Sequence, residues 1–391
     1  MNNYKYIIIG GGMTGDSAVK GIREVDKDGS IAMFSREPDP PYNRPPLTKD
    51  LWKGSEIEKI WKKTNEQNVD IFLETSIEQI NASDKTVVDS KGDVHSYVKL
   101  LVATGGTTIK LPFENDEVTY YRMLKDYEYI HTLSESKKDF AVIGSGFIGS
   151  EISAALRMNG RNVTMIFPEN LIGIKIYPHD LAEYITDYYR NKGVNLVSED
   201  KVKGIKKQNG KHILNTESGK EIKADHIIAG IGIKPDVALA AKAGVKTENG
   251  IIVDEFLRTN IDDIYAAGDA ANFYNPLLDK RIRVEHADNA NKMGKAAGRN
   301  MAGKEEPYEY LPFFYSDMFE LGYEAIGELD SRCDMYCDWQ EKFKKGVIYY
   351  LDKEIVVGVL LWNVWNKVND ARELIASKLK FKPEDLKGKI I

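Results

Sequence analysis

The order of hydrophobic and polar positions repeats one arrangement twice along this chain. A short apolar run, Lys5–Ile9 in the first copy and Phe140–Ile143 in the second, precedes a glycine-rich turn and then a segment with helical periodicity. Both turns have the spacing G-x-G-x-x-G, formed by Gly10, Gly12 and Gly15 and by Gly144, Gly146 and Gly149. A strand, a glycine turn and a helix in this order open a dinucleotide-binding βαβ unit, so the pattern predicts two such units.

The remaining pattern extends both units and adds a different C-terminal part. Helices are predicted at Asp16–Glu24, Ile148–Met158, Asp180–Asn191, Ala287–Met301 and Asn369–Leu379. Strands are predicted at Ser30–Phe34, Lys85–Val88, Val94–Val102, Asn162–Phe167 and Ile264–Ala267, with a hairpin formed by Gly346–Leu351 and Ile355–Trp362. The proline-rich segment Pro38–Pro46 is predicted to contain neither helix nor strand.

Composition, net charge and the longest apolar stretch indicate a globular protein that neither binds nucleic acid nor spans a membrane. Of 391 residues, 42% are hydrophobic and 29% are charged, which predicts a globular protein of two or three domains. The net charge of −6 argues against nucleic-acid binding, which depends on Lys and Arg. The apolar stretch Ile355–Trp362 is too short to span a membrane, and no targeting peptide precedes the first predicted strand, so a cytoplasmic location is expected. Cys333 and Cys337 are interpreted as ordinary thiols, with a redox dithiol or half of a metal site as the alternative. No metal site is expected, because no His or Cys cluster nearby completes a ligand set.

Each glycine turn needs an acid further on to recognise a ribose. A carboxylate near the end of the second strand accepts hydrogen bonds from a ribose 2′-OH and repels a 2′-phosphate. In the second unit that acid is Glu169, which predicts NAD rather than NADP. In the first unit the expected position holds Arg36, with Glu37 next to it. Either Glu37 contacts the ribose or the adenosine end is held in another way.

Several stretches resemble a known family, the FAD-dependent pyridine nucleotide oxidoreductases. Besides the glycine turns, the resemblance rests on Ala103-Thr104-Gly105 and Ala267-Gly268-Asp269-Ala270, and Pro41–Lys49 is similar to the ferredoxin reductase-like branch. The apoptosis-inducing factor family is resembled most closely, at Phe167-Pro168-Glu169, Arg283–His286, Leu321–Gly327 and Lys345–Asn366. That family's long insertion has no room between Gly327 and Gly346, so the chain is identified as a compact relative.

The resemblance implies an α/β fold with two Rossmann-like dinucleotide-binding domains, as in glutathione reductase, and an α+β C-terminal domain. We expect a discontinuous FAD-binding domain at 1–115 and 239–305. An NAD-binding domain is expected at 116–238 and the C-terminal domain at 306–391.

The resemblance also implies roles for individual residues. Lys49 would lie near flavin N5 and pair with Glu151, because a positioned ammonium stabilises the negative charge that arrives with hydride. His286 would lie against the flavin ring, Arg44 near the FAD pyrophosphate, and Asp269 on the ribityl chain. The other residues expected to bind FAD are Gly10, Gly12, Gly15, Glu37, Pro45, Ala103, Thr104, Gly105, Arg122, Gly268 and Tyr315. Those expected to bind NAD are Gly144, Gly146, Phe147, Ile148, Gly149, Glu169, Lys175, Gly232, Glu285 and Glu324.

Two departures from the related families limit the chemistry. The glutathione reductase branch carries a C-x-x-x-x-C pair after the first βαβ strand, whereas this chain has Pro, Arg and Lys there, which excludes disulfide reduction by that route. The family's Trp beside the flavin is replaced by Tyr315, whose smaller face makes stacking with a nicotinamide less extensive.

Three functional hypotheses follow. The first is an enzyme that moves hydride from NADH to flavin and electrons onward to a quinone, a ferredoxin-type protein or dioxygen. The second is an NADH-gated interaction protein that turns over slowly and forms a homodimer when reduced, as the resemblance to apoptosis-inducing factor implies. The third is a flavoprotein in which the second glycine turn is only structural, and Glu169 argues against it. The missing insertion favours the enzyme.

Overall fold

The computed structural model describes residues 2–113 and 117–391, which form two compact units. The first unit comprises Met1–Arg44, Ile57–Thr107 and Ile233–Pro312, and the second comprises Pro45–Glu56, Thr108–Gly232 and Phe313–Ile391. The expected domain boundary at 115–116 lies outside the described residues. The division into three domains therefore stays a prediction.

Helices occur in both units. The α-helices of the described residues are α1 (Met13–Val25), α2 (Leu124–Ser136), α3 (Phe147–Met158), α4 (His179–Asn191), α5 (Ala238–Lys242), α6 (Ala287–Met301) and α7 (Val368–Ser377). Short 3₁₀ turns occupy Pro45–Thr48, Asp50–Lys53, Ile57–Ile60, Thr64–Gln67, Gly268–Ala270 and Pro383–Leu386.

The first unit is built on a seven-stranded sheet with a parallel centre. Its strands, in spatial order, are Asp70–Phe72, Ile31–Phe34, Asn2–Ile9, Val94–Val102, Thr86–Asp89 and Ile77–Asn81, with Ile264–Ala266 also pairing with Val94–Val102. A second sheet contains Thr247–Glu248, Gly250–Ile252, Ala271–Asn275 and Lys280–Ile282. The short strands Gly106–Thr108 and Ile233–Pro235 lie where the chain passes between units. The strand Asn2–Ile9 ends in four buried residues, as expected for the middle of a parallel sheet.

Glycine allows the two long helices of the first unit to pack closely. A Cβ on Gly21 of α1 would lie 2.1 Å from the carbonyl oxygen of Lys295 in α6. A Cβ on Gly298 of α6 would lie equally close, at 2.1 Å, to the carbonyl oxygen of Ala18 in α1. Since real Cβ atoms do not approach so near, this backbone contact requires glycine at both positions.

The described residues of the second unit form three sheets. A parallel sheet has the order Val194–Val197, Asn162–Ile166, Asp139–Ile143, His226–Ala229 and Val118–Tyr120. An antiparallel three-stranded sheet is formed by Val202–Gln208, Lys211–Thr216 and Glu221–Ala224. The C-terminal antiparallel sheet has the order Phe313–Met318, Leu321–Gly327, Ile355–Trp362, Lys345–Asp352 and Asp334–Glu341. Helix α7 packs on this last sheet through Ala371 and Ile375.

The α/β fold class predicted from the sequence is confirmed. The predicted helix Ala287–Met301 matches α6 at both ends, and both glycine turns stand between a strand and a helix. The prediction for Pro38–Pro46 was wrong at its end, because a 3₁₀ turn begins at Pro45. Proline is compatible with a first helical turn, where its missing N–H has no partner to lose. No helix of the described residues is long and apolar enough to cross a membrane.

Two buried histidines in the second unit give its stability a pH dependence. The rings of His212 and His226 lie 6.1 Å apart, and His226 Nε2 is 2.8 Å from Thr119 Oγ1. Burial lowers the pKa of His226 from 6.5 to about 4, and burial also lowers the pKa of His212 although Glu117 opposes this. The unfolded chain therefore binds protons at a higher pH than the folded chain does. Stability contributed by neutral His226 is present above about pH 6.5 and is lost as the pH falls toward 4.

We predict that His226→Asn flattens this pH dependence. The unmodified protein should lose roughly 2 to 3 kcal/mol more unfolding free energy than the variant between pH 7 and pH 4. Urea unfolding at a series of pH values measures the difference. His179→Asn is the matched control, since the side chain of His179 is 65% exposed. Parallel curves for all three proteins would contradict the assignment.

Candidate functional site

The first glycine turn brings three segments of backbone into close contact. Gly10 has a φ of +126°, and a Cβ there would lie 2.1 Å from the carbonyl oxygen of Ala103. A Cβ on Gly15 would lie 2.1 Å from the carbonyl oxygen of Gly10. Gly12 differs from both, because it caps the N-terminus of α1 and a Cβ there would meet nothing within 4 Å. The turn is therefore tight on its protein side and open at the helix N-terminus.

The second glycine turn has the same construction. Gly144 has a φ of +105°, and a Cβ on it would lie 2.5 Å from the carbonyl oxygen of Gly230. A Cβ on Gly149 would lie 2.1 Å from the carbonyl oxygen of Gly144. Gly146 caps α3, and a Cβ there would meet nothing within 4 Å.

These two turns fit the pyrophosphates of two dinucleotides. Neither Gly12 nor Gly146 supplies a side chain to cap its helix, and the space at the Cβ position of each glycine is open. A phosphate there would accept hydrogen bonds from the first N–H groups of the helix and gain from the helix dipole. The open space is where a side chain would otherwise obstruct the phosphate.

The other backbone turns expected at the FAD site lie in the same unit as the first glycine turn. Gly268 has a φ of +76°, and a Cβ there would lie 2.2 Å from Thr14 Oγ1 of α1, so Asp269 begins its turn close to that helix. Thr104 Oγ1 donates to the carbonyl oxygen of Asp236 at 2.6 Å, and the carbonyl oxygen of neighbouring Gly105 accepts from the Asp236 N–H at 2.9 Å.

Glu37, the acid considered for the FAD ribose, accepts hydrogen bonds from residues of the loop that follows it. Both carboxylate oxygens of Glu37 have partners, since Oε1 accepts from Arg44 Nη2 and Oε2 accepts from Tyr42 Oη at 2.6 Å. Arg36 forms an ion pair of 3.0 Å with Asp236, and its side chain is 59% exposed. Glu37 therefore holds Arg44 in place, and the ribose contact is assigned to neither residue.

Lys49 and Glu151 form a buried ion pair in the second unit. Lys49 Nζ donates to Glu151 Oε2, and the two residues are 7% and 4% exposed. Thr48 Oγ1 also donates to Glu151 Oε2, at 2.6 Å, and Ser316 Oγ donates to Oε1 at 2.7 Å. A buried carboxylate is expensive unless it is paired and hydrogen-bonded, and these three donors meet that need. The expected pairing of Lys49 with Glu151 is thus present in the structure.

Two further residues surround the ammonium of Lys49. Its Nζ lies 5.3 Å from the ring centroid of Tyr315, which is 39% exposed, and burial of the hydroxyl raises the pKa of Tyr315 to about 12. Burial also raises the pKa of Asp317, although the charges of Lys49 and Lys53 oppose the change. The Tyr315 hydroxyl consequently stays protonated at neutral pH.

The residues expected at the NAD site all belong to the second unit, apart from Glu285. Lys175 Nζ donates to Glu169 Oε1 at 2.5 Å, with Lys175 79% exposed. Phe147 and Ile148 are each 37% exposed at the start of α3, and the ring of Phe147 meets that of Phe314 edge to face at 5.5 Å. An exposed apolar pair beside a glycine turn suits a nicotinamide ring.

Two other residues expected at the NAD site are Gly232 and Glu324. Gly232 is exposed and has a φ of +100°. Glu324 accepts a hydrogen bond from the Asn366 N–H at 3.2 Å, and burial raises the pKa of Glu324.

For three predicted residues the structure describes contacts within the chain itself. Glu285 Oε1 accepts from Arg283 Nη1 at 2.5 Å in the first unit. His286 is the N-cap of α6, and its carbonyl oxygen accepts from the Ala290 N–H at 2.9 Å. The Arg122 N–H donates to Asp126 Oδ2 at the start of α2. Their roles toward a cofactor stay predictions.

Sequence reasoning missed the hydroxyls of Thr48 and Ser316. Thr48 belongs to the stretch Pro41–Lys49 that resembles the family, and Ser316 follows Tyr315, yet neither received a role. No spacing rule links Ser316 to Glu151, which precedes it by 165 positions. The available signal was the predicted ion pair itself, since a buried carboxylate requires further donors.

The chain matches two family models and is similar in sequence to known proteins. The family model "Pyridine nucleotide-disulphide oxidoreductase" matches residues 4–294, and "Apoptosis-inducing factor, mitochondrion-associated, C-term" matches residues 334–377. The chain is 31% identical to apoptosis-inducing factor 1 of Dictyostelium discoideum over 97% of this chain and 79% of that protein. It is 32% identical to monodehydroascorbate reductase 3 of Arabidopsis thaliana over 92% of this chain and 89% of that protein.

Among solved structures, a putidaredoxin reductase in covalent complex with putidaredoxin has the same fold. The TM-score is 0.91 at 27% identity, and the match covers 98% of this chain and 95% of that one.

We predict that Gly12→Ala keeps the fold but weakens FAD binding by roughly tenfold or more. The added methyl meets no protein atom and instead enters the space where the pyrophosphate is expected. Flavin titration of the apoprotein measures the affinity, and thermal unfolding checks the fold. Gly204→Ala is the matched control, because a Cβ there also meets nothing within 4 Å. Gly15→Ala should instead destabilise the protein, and unchanged FAD affinity in Gly12→Ala would contradict the site.

Proposed function

Because this chain belongs to the pyridine nucleotide-disulphide oxidoreductase family, we propose that it takes hydride from NADH in preference to NADPH and passes electrons to a small oxidised molecule. The broader activity is established by the family: the chain is an FAD-dependent NAD(P)H oxidoreductase of the ferredoxin reductase and apoptosis-inducing factor-like branch. The resemblance predicted from the sequence is confirmed. The two matching glycine turns supply one dinucleotide cradle for each cofactor.

The buried pair of Lys49 and Glu151 is the observation that carries the proposed mechanism. When bound, FAD supplies a ring that accepts two electrons as hydride and can release them singly. This chain supplies a fixed ammonium at Lys49, whose charge stabilises negative charge developing close to it. Glu151 holds that ammonium in one position, and burial keeps water from screening it.

NADH preference is proposed from Glu169. Its carboxylate follows the strand Asn162–Ile166 of the second unit and is 23% exposed, so a ribose can reach it. A 2′-phosphate would meet like charge there. Lys175 partly offsets that repulsion, because its ammonium pairs with Glu169, and we therefore expect a moderate preference rather than an absolute one.

A small-molecule acceptor is proposed from the surface charges. An acidic redox protein would need a basic docking patch. Lysines cluster at Lys201–Lys207 and at Lys378–Lys389. In these two stretches Lys206 pairs with Glu221 at 3.1 Å, Lys207 with Glu117 at 3.0 Å, and Lys380 with Glu354 at 3.6 Å. Each of these three lysines thus has an acidic neighbour at the surface, which weakens the basic character that an acidic partner would need.

Acceptor identity is tested by steady-state NADH oxidation with a panel of acceptors. The panel contains a soluble quinone, monodehydroascorbate, a [2Fe–2S] ferredoxin and dioxygen. Faster turnover with one of the first two than with the ferredoxin would support the proposal, and the reverse order would overturn it. We propose the cytoplasm as the compartment.

A second candidate function is an NADH-gated interaction protein. It is favoured by the match of residues 334–377 to the C-terminal region of apoptosis-inducing factor. Slow turnover with every acceptor, together with a homodimer that forms only after NADH is added, would support it. Sedimentation velocity with and without NADH under anaerobic conditions makes that comparison.

We predict that Lys49→Ala slows reduction of the bound flavin by NADH roughly tenfold to a hundredfold. The variant loses the fixed charge that stabilises the reduced ring. Anaerobic stopped-flow measurement of the flavin absorbance gives the rate. Lys53→Ala is the control, because Lys53 is 45% exposed and lies 4.0 Å from Asp317. Equal rates for Lys49→Ala and the unmodified protein would remove Lys49 from the mechanism.

We predict that Glu169→Ala lowers the ratio of kcat/KM for NADH to that for NADPH by roughly tenfold. The change removes both the ribose acceptor and the charge that repels a 2′-phosphate. Steady-state kinetics with each nucleotide measures the ratio. Glu221→Ala serves as control, since Glu221 is a 54% exposed acid in the same unit. A ratio that stays constant would show that Glu169 does not select the nucleotide.

A further inference from the structure

Ser316 touches the Lys49–Glu151 pair from a different element of the second unit. The residue is 2% exposed, and its Oγ donates to Glu151 Oε1 at 2.7 Å. Lys49 donates to the other carboxylate oxygen of Glu151, Oε2. The carboxylate is therefore held at both ends, with the C-terminal sheet on one oxygen and the catalytic ammonium on the other.

The hydroxyl of Ser316 is held by a rigid element. Ser316 lies inside the strand Phe313–Met318 and pairs in register with Tyr323 of the strand Leu321–Gly327. Side chains of a strand alternate between faces, which places buried Ser316 opposite the partly exposed Tyr315. A serine fixed by a sheet ladder is a more exact anchor than one in a loop.

The second hydroxyl, from Thr48, provides a weaker constraint. Thr48 Oγ1 donates to the same oxygen as Lys49, and the carbonyl oxygen of Pro45 lies 3.4 Å away as an alternative acceptor. It therefore cannot fix the rotation of the carboxylate by itself. The terminal torsion of glutamate has a broad two-fold preference, so a contact on the opposite oxygen is what orients the group.

We propose that Ser316 is a positioning residue for this reaction, which fixes the carboxylate of Glu151 so that Lys49 is held at the reacting ring. This inference rests on the proposed role of Lys49. Without the Ser316 hydroxyl, Oε1 becomes a buried acceptor without its donor, and the carboxylate is free to turn. The ammonium then moves with it, and its charge no longer acts from one fixed point.

The first test compares three single variants by the midpoint potential of the bound flavin and by its rate of reduction. Ser316→Ala should make the potential more negative and slow reduction roughly tenfold, because the reduced ring loses stabilisation. Ser316→Thr keeps the hydroxyl and should restore most of both values. Ser153→Ala is the matched control on α3, since the buried Ser153 hydroxyl has no partner among the described residues, and it should match the unmodified protein.

The second test is a double-mutant cycle that distinguishes positioning from general damage. In a Lys49→Ala background, Ser316→Ala should cause no further change in potential, because its effect passes through Lys49. In urea unfolding of the holoprotein, the Lys49→Ala and Ser316→Ala effects should likewise depart from additivity. Additive effects in both measurements, or failure of Ser316→Thr to restore the potential, would overturn the inference.

The same cycle separates failure of this inference from failure of the proposed function. If Lys49→Ala alone leaves both reduction and potential unchanged, the proposed role of Lys49 fails, and this inference fails with it. If Lys49→Ala impairs reduction while Ser316→Ala equals Ser153→Ala, only the role of Ser316 fails.

Discussion

The buried ion pair between Lys49 and Glu151 is the constraint on which the rest of the second unit's chemistry depends. Two charges out of water are costly, and the protein compensates with an ion pair and two hydroxyl donors. These contacts join three separate stretches of the second unit. The stretches are the segment Pro45–Glu56, the start of α3 and the first strand of the C-terminal sheet.

Other contacts hold the segment that carries Lys49. The hydroxyl of Tyr121 donates to the carbonyl oxygen of Leu47 at 2.5 Å, and Trp52 Nε1 donates to the same oxygen at 2.9 Å. Asn159, at the end of α3, donates to the carbonyl oxygen of Trp52 at 3.0 Å. The residues before and after Lys49 are therefore both fixed by hydrogen bonds. An electrostatic catalyst needs such a fixed charge, because the charge then does not have to reorient during the reaction.

Much of the fold and part of the site could be predicted because their causes are local in sequence. Each turn requires a positive φ at its first glycine, Gly10 or Gly144, and close backbone approach at its third, Gly15 or Gly149. Glycine at this fixed spacing therefore predicts each turn. The helix α2 went unnoticed, since the polar Ser134 lies on its buried face while the apolar Tyr129 is exposed, and both weaken the amphipathic pattern. The hydroxyl of Ser316 could not be assigned, because its contact with Glu151 joins distant segments and exists only once the sheet has formed.

The central claim is that NADH delivers hydride to flavin bound by this chain, and one measurement tests it most directly. The flavin-loaded protein is mixed anaerobically with NADH, and separately with NADPH, while the flavin absorbance is followed by stopped flow. We predict that both nucleotides bleach the oxidised flavin band, and that NADH does so more efficiently. Absence of bleaching with either nucleotide would contradict it.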